Sequence, residues 1–233
     1  MTMRFNNPQK PWYLKQIHLF SGLSEADLQE LEQLTKMVTV GKGEILYLPG
    51  DPAHTVYLLK KGRVKTLITD QRGKEITIEI LQPGEIFGDM DLSEQSVRTM
   101  RAEAREDAVL CVLPREDFEH YLNRHPDLIV SLYEMIRRRF RKLQSQVEDL
   151  AHREVQARLA HLLLDLAKIE GVPNDQQVLI RMQLTHQEMA DLIGCARETV
   201  STTVGLFRDQ GLIGMEARTI TILKHEALSR LVL

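Results

Sequence analysis

Four polar residues in the run RETVSTTV, which begins at Arg197, have side chains that suit hydrogen bonds to base edges in DNA. The planar fork of an arginine can donate to O6 and N7 of a guanine together, and a glutamate can accept a hydrogen bond from a cytosine amino group. In a helix, side chains three and four positions apart share a face, so these four would lie together on its outer side. The candidate base-reading residues are Arg197, Glu198, Ser201 and Thr202.

The stretch LTHQEMADLIGCARETVSTTVGLF, residues 184–207, predicts two short helices that position these side chains. Thr185 and Glu188 have the spacing of a capping box at the start of the first helix. Gly194 suits the positive φ with which a helix ends, and the second helix is predicted to pack through Val200, Val204 and Phe207. Two helices joined by such a turn form a helix-turn-helix, whose second helix enters the major groove. The alternative is an ordinary helical hairpin whose charges are only solvated.

The start of each of these helices also carries candidates for phosphate contacts. Hydroxyl and amide side chains and helix N-terminal amides commonly bind DNA phosphates. The residues concerned are Thr185, His186, Gln187 and Thr199. For each of them the alternative is a capping role or exposure to solvent.

Composition is typical of a globular protein of one large or two ordinary domains, with 233 residues, 43% hydrophobic content and a net charge of −3. Residues 151–233 contain nine Lys/Arg and ten Asp/Glu, so DNA binding requires the cations to cluster on one face. The two cysteines, Cys111 and Cys195, are too far apart in sequence for a CxxC motif and are expected to be small buried residues. Without an apolar run of membrane-spanning length or a hydrophobic signal region, a soluble cytoplasmic protein is expected, with no membrane partner.

The N-terminal half predicts a helix followed by a β-roll. A loose tail over 1–12 precedes a helical pattern from Leu14 to Met37, in which Ser24 is the predicted N-cap. Between residues 38 and 113, runs rich in aliphatic and β-branched residues alternate with turns. The turn glycines Gly50, Gly62, Gly73 and Gly84 are 11 or 12 residues apart, which indicates short antiparallel strands in a roll or barrel.

A long helix from about Asp127 to Leu150 carries a narrow apolar stripe, after a short helix over 117–124 that Pro126 interrupts. The stripe recurs in steps of four and three, which is the pattern of a two-stranded coiled coil. We predict a homodimer, with a core helix of the chain's own domain as the alternative. The predicted dimer residues, called the seam below, are Ile129, Tyr133, Ile136, Phe140, Leu143, Val147 and Leu150.

After a junction at Ala151–Arg153, the chain predicts a helix over 153–169, ended by Gly171, Pro173 and Asn174. Two short strands in QGLIGMEARTITILK would form a wing beside the second helix of the helix-turn-helix, and a helix over 225–233 closes the chain. The predicted class is α+β: a jelly roll (double-stranded β-helix), a long dimerisation helix and a winged helix-turn-helix. The predicted domains are a tail at 1–12, a roll at 13–116, a dimerisation segment at 117–150 and a DNA-binding domain at 151–233.

This order of parts resembles the cyclic-AMP receptor/FNR (CRP/FNR) family of bacterial transcription regulators. The resemblance rests on GCARETVS from Gly194, QGLI at 210–213 and PGEIFGD at 83–89, and it covers residues 14–233. It implies a dimeric, non-enzymatic regulator of transcription that binds near-palindromic double-stranded DNA and works with RNA polymerase. The family commonly has an arginine where this chain has Thr202. Its half-site is therefore expected to depart from the family's TGTGA-like sequence at the base pair that Glu198 shares.

The resemblance also implies an effector pocket between the roll and the long helix, like that of the cyclic-nucleotide-binding members. A backbone turn and an arginine–hydroxyl pair would hold a phosphate, and two residues of the long helix would contact a base. This chain departs from the family pattern in having aspartate for glutamate at 89, a bulky Met100, and a leucine at one of the two base-contacting positions. The matching positions are Gly88, Asp89 and Met90 for the turn, Arg98 and Thr99 for the pair, and Leu143 and Gln144 on the helix.

Cyclic AMP is accordingly one candidate effector, beside another anionic metabolite, haem, or none. The N-terminal cysteines of an FNR-type iron–sulfur sensor are missing, and the histidines available for haem are His18, His54, His120 and His125. Two other classes compete with the regulator. A roll enzyme normally needs clustered histidines, and only His54 lies within 38–113. A ligand-binding module without DNA is disfavoured by the helix-turn-helix.

Overall fold

The computed structural model describes residues 4–5, 14–15, 17–71, 73, 75–88, 97–174, 177–216 and 219–232. Packing divides the chain into two compact units, Met1–Arg138 and Arg139–Leu233. This boundary falls within the long helix, whereas the sequence-based division sets 117–150 apart as a dimerisation segment. The dimerisation role of that segment stays a prediction.

After the short strand β1 (Arg4–Phe5), the first unit has a 3₁₀ turn, His18–Phe20, and helix α1, Glu25–Leu34. The predicted cap is confirmed: the Ser24 hydroxyl accepts from the Asp27 amide at 3.2 Å, and the Asp27 carboxylate accepts from the Ser24 amide at 3.3 Å. The Ser24 hydroxyl also donates to this carboxylate, which lowers the pKa of Asp27 below its ordinary value. The predicted extension of α1 to Met37 is wrong, because alternation in KMVTV places Lys36–Val40 in a strand.

Two antiparallel sheets form the predicted roll. One has the order β1-β2-β9-β4-β7, and the other has the order β3-β8-β5-β6. The strands are β1 (Arg4–Phe5), β2 (Lys36–Val40), β3 (Ile45–Tyr47), β4 (Thr55–Lys61), β5 (Val64–Thr69), β6 (Glu75–Leu81), β7 (Ile86–Phe87), β8 (Arg101–Ala104) and β9 (Ala108–Pro114). The predicted turns are confirmed, since Gly50, Gly62, Gly73 and Gly84 all have φ between +80° and +92°.

Helices α2 (Arg115–Arg124) and α3 (Pro126–His152) follow the roll. Pro126 is the first residue of α3, where its missing N–H costs no helical hydrogen bond. Phe118 and Tyr121 of α2 and Leu128 of α3 are buried in one core with α1 and the outer side of the larger sheet. The Tyr121 hydroxyl donates to the Asp27 carbonyl at 2.8 Å, and burial raises the pKa of Tyr121 to about 12.

The second unit is a winged helix-turn-helix. Its elements are α4 (Val155–Glu170), β10 (Gly171–Asn174), β11 (Gln177–Ile180), α5 (His186–Ile193), α6 (Arg197–Asp209), β12 (Ile213–Glu216), β13 (Thr219–Ile222) and α7 (His225–Arg230). The predicted wing is confirmed as the antiparallel pair β12–β13. Helix α4 begins at Val155 and not at residue 153, because α3 continues to His152.

The hairpin of β10 and β11 was not predicted. Gly171 does end α4, as expected, but the chain then pairs at once with β11 in the sheet order β10-β11-β13-β12. Pro173 is tolerated there because β10 is an edge strand. Among the helices that the structure describes, none combines the length and apolarity needed to cross a membrane.

Candidate nucleic-acid interface and effector pocket

The turn between α5 and α6 has the predicted conformation. Thr185 caps α5 through its side chain, and Gly194 ends it with φ of +65°. The two helices pack through buried Met189, Ala190 and Ile193 on one side and Val200, Val204 and Phe207 on the other. A Cβ built on Gly194 would lie 2.5 Å from Cδ2 of Leu150 at the end of α3, so this glycine also permits a close contact with that helix.

Arg197 and Glu198 lie exposed in the first turn of α6. Neither side chain takes part in a hydrogen bond or ion pair with any residue that the structure describes. Both are therefore available to a ligand without the loss of an internal contact. Their donor fork and acceptor oxygens are the groups that guanine and cytosine edges match.

Three consecutive hydroxyls of α6 donate back to carbonyls of their own helix. The pairs are Ser201 to Arg197 at 3.1 Å, Thr202 to Glu198 at 3.0 Å and Thr203 to Thr199 at 2.8 Å. Since a hydroxyl has one proton, Thr202 keeps only acceptor lone pairs and its methyl group for an external partner. Thr199, a predicted phosphate contact, is exposed in the first turn of α6.

At the start of α5, the side chains of two predicted phosphate contacts already form hydrogen bonds within the helix. The Thr185 hydroxyl accepts from the Glu188 amide at 3.1 Å and donates to the Glu188 carboxylate at 3.0 Å, so its side chain serves as a cap. The Gln187 side chain donates to Asp191 at 2.7 Å. The amides of His186 and Gln187 still point outward from the first turn, as helix geometry requires.

His186 makes a contact that the sequence analysis missed. Its Nδ1 lies 2.7 Å from the Ser201 hydroxyl oxygen, so a side-chain hydrogen bond joins the start of α5 to the outer face of α6. The two residues are 15 positions apart and lie on different helices, so helical periodicity does not predict their contact. Only the geometry of the turn brings this pair of predicted DNA-binding residues together.

The seam side chains along α3 are exposed in the single chain. All seven have between 50% and 65% of their surface accessible. The opposite stripe of the first half of α3 instead packs on the core of the first unit through Leu128, Leu132 and Met135. Helix α3 therefore has two apolar faces, of which one is covered by its own unit.

The end of α3 is tied to α4 by a polar cluster that sequence reasoning did not find. The Asp149 carboxylate contacts the Arg153 guanidinium and lies 2.7 Å from Nδ1 of His161. The contact spans 12 residues and the helix junction, so neither helical periodicity alone predicts it. It orders the predicted junction at Ala151–Arg153.

Two of the predicted effector residues meet inside the roll. A Cβ on Gly88, whose φ is +104°, would lie 2.9 Å from Nη1 of Arg98 and 3.0 Å from the Thr55 carbonyl oxygen. Arg98 is 2% exposed, and its Nη2 donates to that carbonyl at 2.6 Å. Its guanidinium carbon lies 4.4 Å from the Tyr47 ring centroid. The roll thus holds a buried cation beside the backbone of Gly88.

The remaining predicted effector positions either lie outside the described residues or are exposed within their own units. Asp89 and Met90 lie outside the described residues. Thr99 is exposed, as are Leu143 and Gln144 on α3. Burial raises the pKa of Tyr57, which stacks on Phe87 with ring centroids 5.2 Å apart and lies near Arg98.

The haem candidates and the cysteines have ordinary surroundings. His54 and His120 are exposed, His125 lies 4.0 Å from Asp27, and the His18 side chain is outside the description. Among described residues, no group of three or more His, Cys, Asp and Glu could hold a metal ion. Burial raises the pKa of Cys111 to about 11, as expected for a core thiol, but Cys195 is half-exposed because it lies in the helix-turn-helix turn.

Comparison with known proteins matches both units. Residues 37–125 match the cyclic nucleotide-binding domain, and residues 157–231 match the Crp-like helix-turn-helix domain. The global nitrogen regulator of Synechocystis sp. (strain ATCC 27184 / PCC 6803 / Kazusa) is 34% identical over 194 residues, which cover 82% of this chain and 86% of that protein. The chain belongs to the CRP/FNR family of transcriptional regulators.

Other members of the CRP/FNR family agree with this assignment. The cAMP-activated global transcriptional regulator CRP of Pasteurella multocida is 32% identical over 74% of this chain and 83% of its own length. A solved CRP/FNR regulator from Thermus thermophilus has a TM-score of 0.68 at 26% identity and covers 84% of this chain and 97% of its own. The chain is therefore a DNA-binding transcriptional regulator and not an enzyme.

Proposed function

We propose that the chain acts as a homodimer whose two helix-turn-helix motifs read the halves of a near-palindromic duplex. The observation that carries the proposal is the exposed seam of α3, with seven large apolar side chains at heptad spacing. Monomeric proteins rarely expose so large a continuous apolar stripe. A second copy presenting the same stripe would cover it with two-fold symmetry.

In this dimer, Arg197 and Glu198 read bases from the first turn of α6. Both are exposed and engaged with no other described side chain, so binding breaks no internal hydrogen bond. Arg197 is assigned to a guanine and Glu198 to a cytosine amino group, in agreement with their donor and acceptor patterns. The amides of His186 and Gln187 and the hydroxyl of Thr199 are assigned to phosphates, which fix the register of the helix on the duplex.

Thr202 is assigned to a thymine. Its proton is already donated to the Glu198 carbonyl, and a phosphate offers only acceptor oxygens, so a phosphate contact through this hydroxyl is disfavoured. The exposed methyl group remains, and apolar contact with the thymine C5-methyl is a known form of base reading. This supports a half-site that departs from the TGTGA-like family sequence at the base pair that Thr202 contacts.

We further infer that the roll binds a small anionic effector, with Arg98 as its cation. The match of residues 37–125 to the cyclic nucleotide-binding domain supports a nucleotide, and cyclic AMP is the first candidate because a 32% identical relative is named as cAMP-activated. The backbone at Gly88 and the guanidinium fork of Arg98 are donors of the kind that hold a phosphate. Asp89, Met90, Thr99, Leu143 and Gln144 remain proposed contacts.

Another effector, or none, is the alternative. The relatives that are 34% identical are named global nitrogen regulators, without mention of a nucleotide. The departures at Met100 and Leu143 also favour a ligand other than cyclic AMP. Haem is one of these alternative effectors. Since the target is chromosomal DNA, we place the protein in the bacterial cytoplasm with RNA polymerase as a further partner.

Selection of bound DNA from a random duplex pool tests the function, with and without cyclic AMP. We expect enrichment of an inverted repeat, and recovery of unrelated sequences would contradict the proposal.

Calorimetric titration with cyclic AMP then tests the effector. Arg98→Gln should weaken binding about 10–100-fold, the effect of losing a charge-assisted hydrogen bond of about 1.5–3 kcal/mol. Arg124→Gln, at an exposed ion pair with Glu30, is the control and should bind normally. Wild-type protein that neither binds cyclic AMP nor changes its DNA affinity with it would remove that nucleotide.

A further inference from the structure

The hydrogen bond between His186 and Ser201 connects two residues that both face the proposed DNA site. His186 is the first residue of α5, and Ser201 lies one turn after Arg197 on α6. The Nδ1 of His186 and the Ser201 Oγ are 2.7 Å apart, and the same Oγ lies 3.1 Å from the Arg197 carbonyl oxygen. One hydroxyl therefore has two neighbours, and its single proton can serve only one of them.

The proton count decides what the outer nitrogen of the imidazole can do. The Arg197 carbonyl can only accept, so the 3.1 Å contact requires the Ser201 proton. In that case Nδ1 must carry a hydrogen and donate it to Ser201. A neutral imidazole has one N–H, and its Nε2 would then be a bare acceptor. A bare acceptor repels a phosphate oxygen.

The imidazolium form satisfies every partner at once. Nδ1–H donates to Ser201, the Ser201 hydroxyl donates to the Arg197 carbonyl, and Nε2–H is left as a donor for an anion. A nearby phosphate favours this charged form, and the resulting hydrogen bond is charge-assisted.

Among the described residues, no carboxylate forms a hydrogen bond or ion pair with the His186 ring, so a phosphate would be its anionic partner. The Glu188 carboxylate is engaged with Thr185, and Asp191 accepts from Gln187. Helix α4 packs on both helices of the motif, and the wing strand β12 packs on α6. The remaining ionisable side chains of these elements are Arg197, Glu198, Arg208 and Asp209 on α6, Arg158, His161, Asp165, Lys168 and Glu170 on α4, and Glu216 on β12.

We propose that His186 binds a DNA phosphate as an imidazolium, and that Ser201 is a positioning residue that orients the ring and does not read a base. The proposal rests on the proposed function, and it adds to that function the uptake of protons when DNA binds. Each half-site takes up at most one proton on binding, so a dimer takes up at most two. Affinity then rises as pH falls, by up to about tenfold per pH unit for each half-site.

The test measures affinity for the selected duplex between pH 6.0 and 8.0 at constant ionic strength. Two amide substitutions separate the ring nitrogens. His186→Gln places a neutral donor near the Nε2 position, so it should keep affinity at pH 7.5 but flatten the pH dependence. His186→Asn places its amide near Nδ1, so it should lose the phosphate contact and lower the slope of log K against log salt by about 0.9 per half-site. His225→Gln, at the exposed first residue of α7, is the control and should retain the full pH dependence.

Ser201→Ala completes the set. The ring loses its fixed orientation, so affinity and the pH dependence should fall while the preferred sequence stays the same. A wild-type affinity that does not change with pH, an undiminished pH dependence in His186→Gln, or an altered base preference in Ser201→Ala would each overturn the proposal. Absence of DNA binding at every pH would overturn the proposed function and this inference with it, and is distinguishable from all three.

Discussion

Thr202 is the residue at which this chain's reading of DNA should differ most from that of its family. If its methyl group contacts a thymine methyl, removal of either methyl should weaken binding about fourfold per half-site, since one buried methyl group contributes about 0.8 kcal/mol. Thr202→Ser should therefore bind more weakly, and Thr202→Val, which keeps the methyl and loses the hydroxyl, should bind within about twofold of wild type. Replacing the contacted thymine with uracil should weaken the wild type and leave Thr202→Ser unchanged.

Two further variants should be measured in the same binding assay. Arg197→Ala is the positive control and should cost about 1–3 kcal/mol, with relaxed specificity at one position. Thr202→Arg should move the preference at its own position toward guanine. An equal response of the wild type and Thr202→Ser to uracil would show that the methyl contact does not exist.

For single residues, the sequence predicts which side chains cap a helix better than it predicts where a hydroxyl or imidazole proton is donated. Both N-caps, Ser24 and Thr185, follow from spacing alone, and in the structure each belongs to a capping box. The donation of Thr202 to its own helix and the pairing of His186 with Ser201 could not be predicted. Such contacts depend on side-chain rotamers and on the angle between two helices, which short-range periodicity does not determine.

At the scale of elements, the turn at Gly194 holds α3, α5 and α6 in register. Gly194→Ala places a Cβ at φ of +65° and 2.5 Å from Leu150, so we expect it to destabilise the second unit by at least about 1–2 kcal/mol. Gly205→Ala is the matched control, because its Cβ would meet nothing within 4 Å inside helix α6. That change should stabilise the unit by about 0.5–1 kcal/mol.

Urea unfolding of both variants, followed by circular dichroism, measures the two effects. Adding Leu150→Ala to Gly194→Ala should recover the steric part of the loss and leave the backbone part. If Gly194→Ala and Gly205→Ala had the same stability, neither the left-handed turn nor its contact with α3 would matter.

Element boundaries show where local patterns are sufficient. Alternation, helical periodicity and turn glycines correctly indicate the roll, the long helix and the wing. The strand β10 was missed because Gly171, Pro173 and Asn174 are all residues that end helices and form turns. Its strand conformation comes from pairing with β11 in the sheet, which is a tertiary effect.

At the scale of the whole molecule, the seam predicts a dimer that one substitution can separate. Val147→Lys puts a charge into the two-fold interface twice and should weaken association by about 3 kcal/mol or more, roughly 100-fold. Val130→Lys is the control, since Val130 is similarly exposed on α3, at 62% against 65%, but lies off the seam. Sedimentation equilibrium should show dissociation for the first variant alone, and equal association constants would exclude the seam as the interface.

The most direct test of a two-fold reader changes the DNA and leaves the protein intact. Two recognition helices in one dimer require half-site centres about 34–36 Å apart, or about 10–10.5 base pairs. Inserting five base pairs at the centre of the selected site turns one half-site to the opposite face of the duplex. We predict that binding affinity falls at least about 100-fold, to that of a single half-site. An affinity that is unchanged by the insertion would contradict the account.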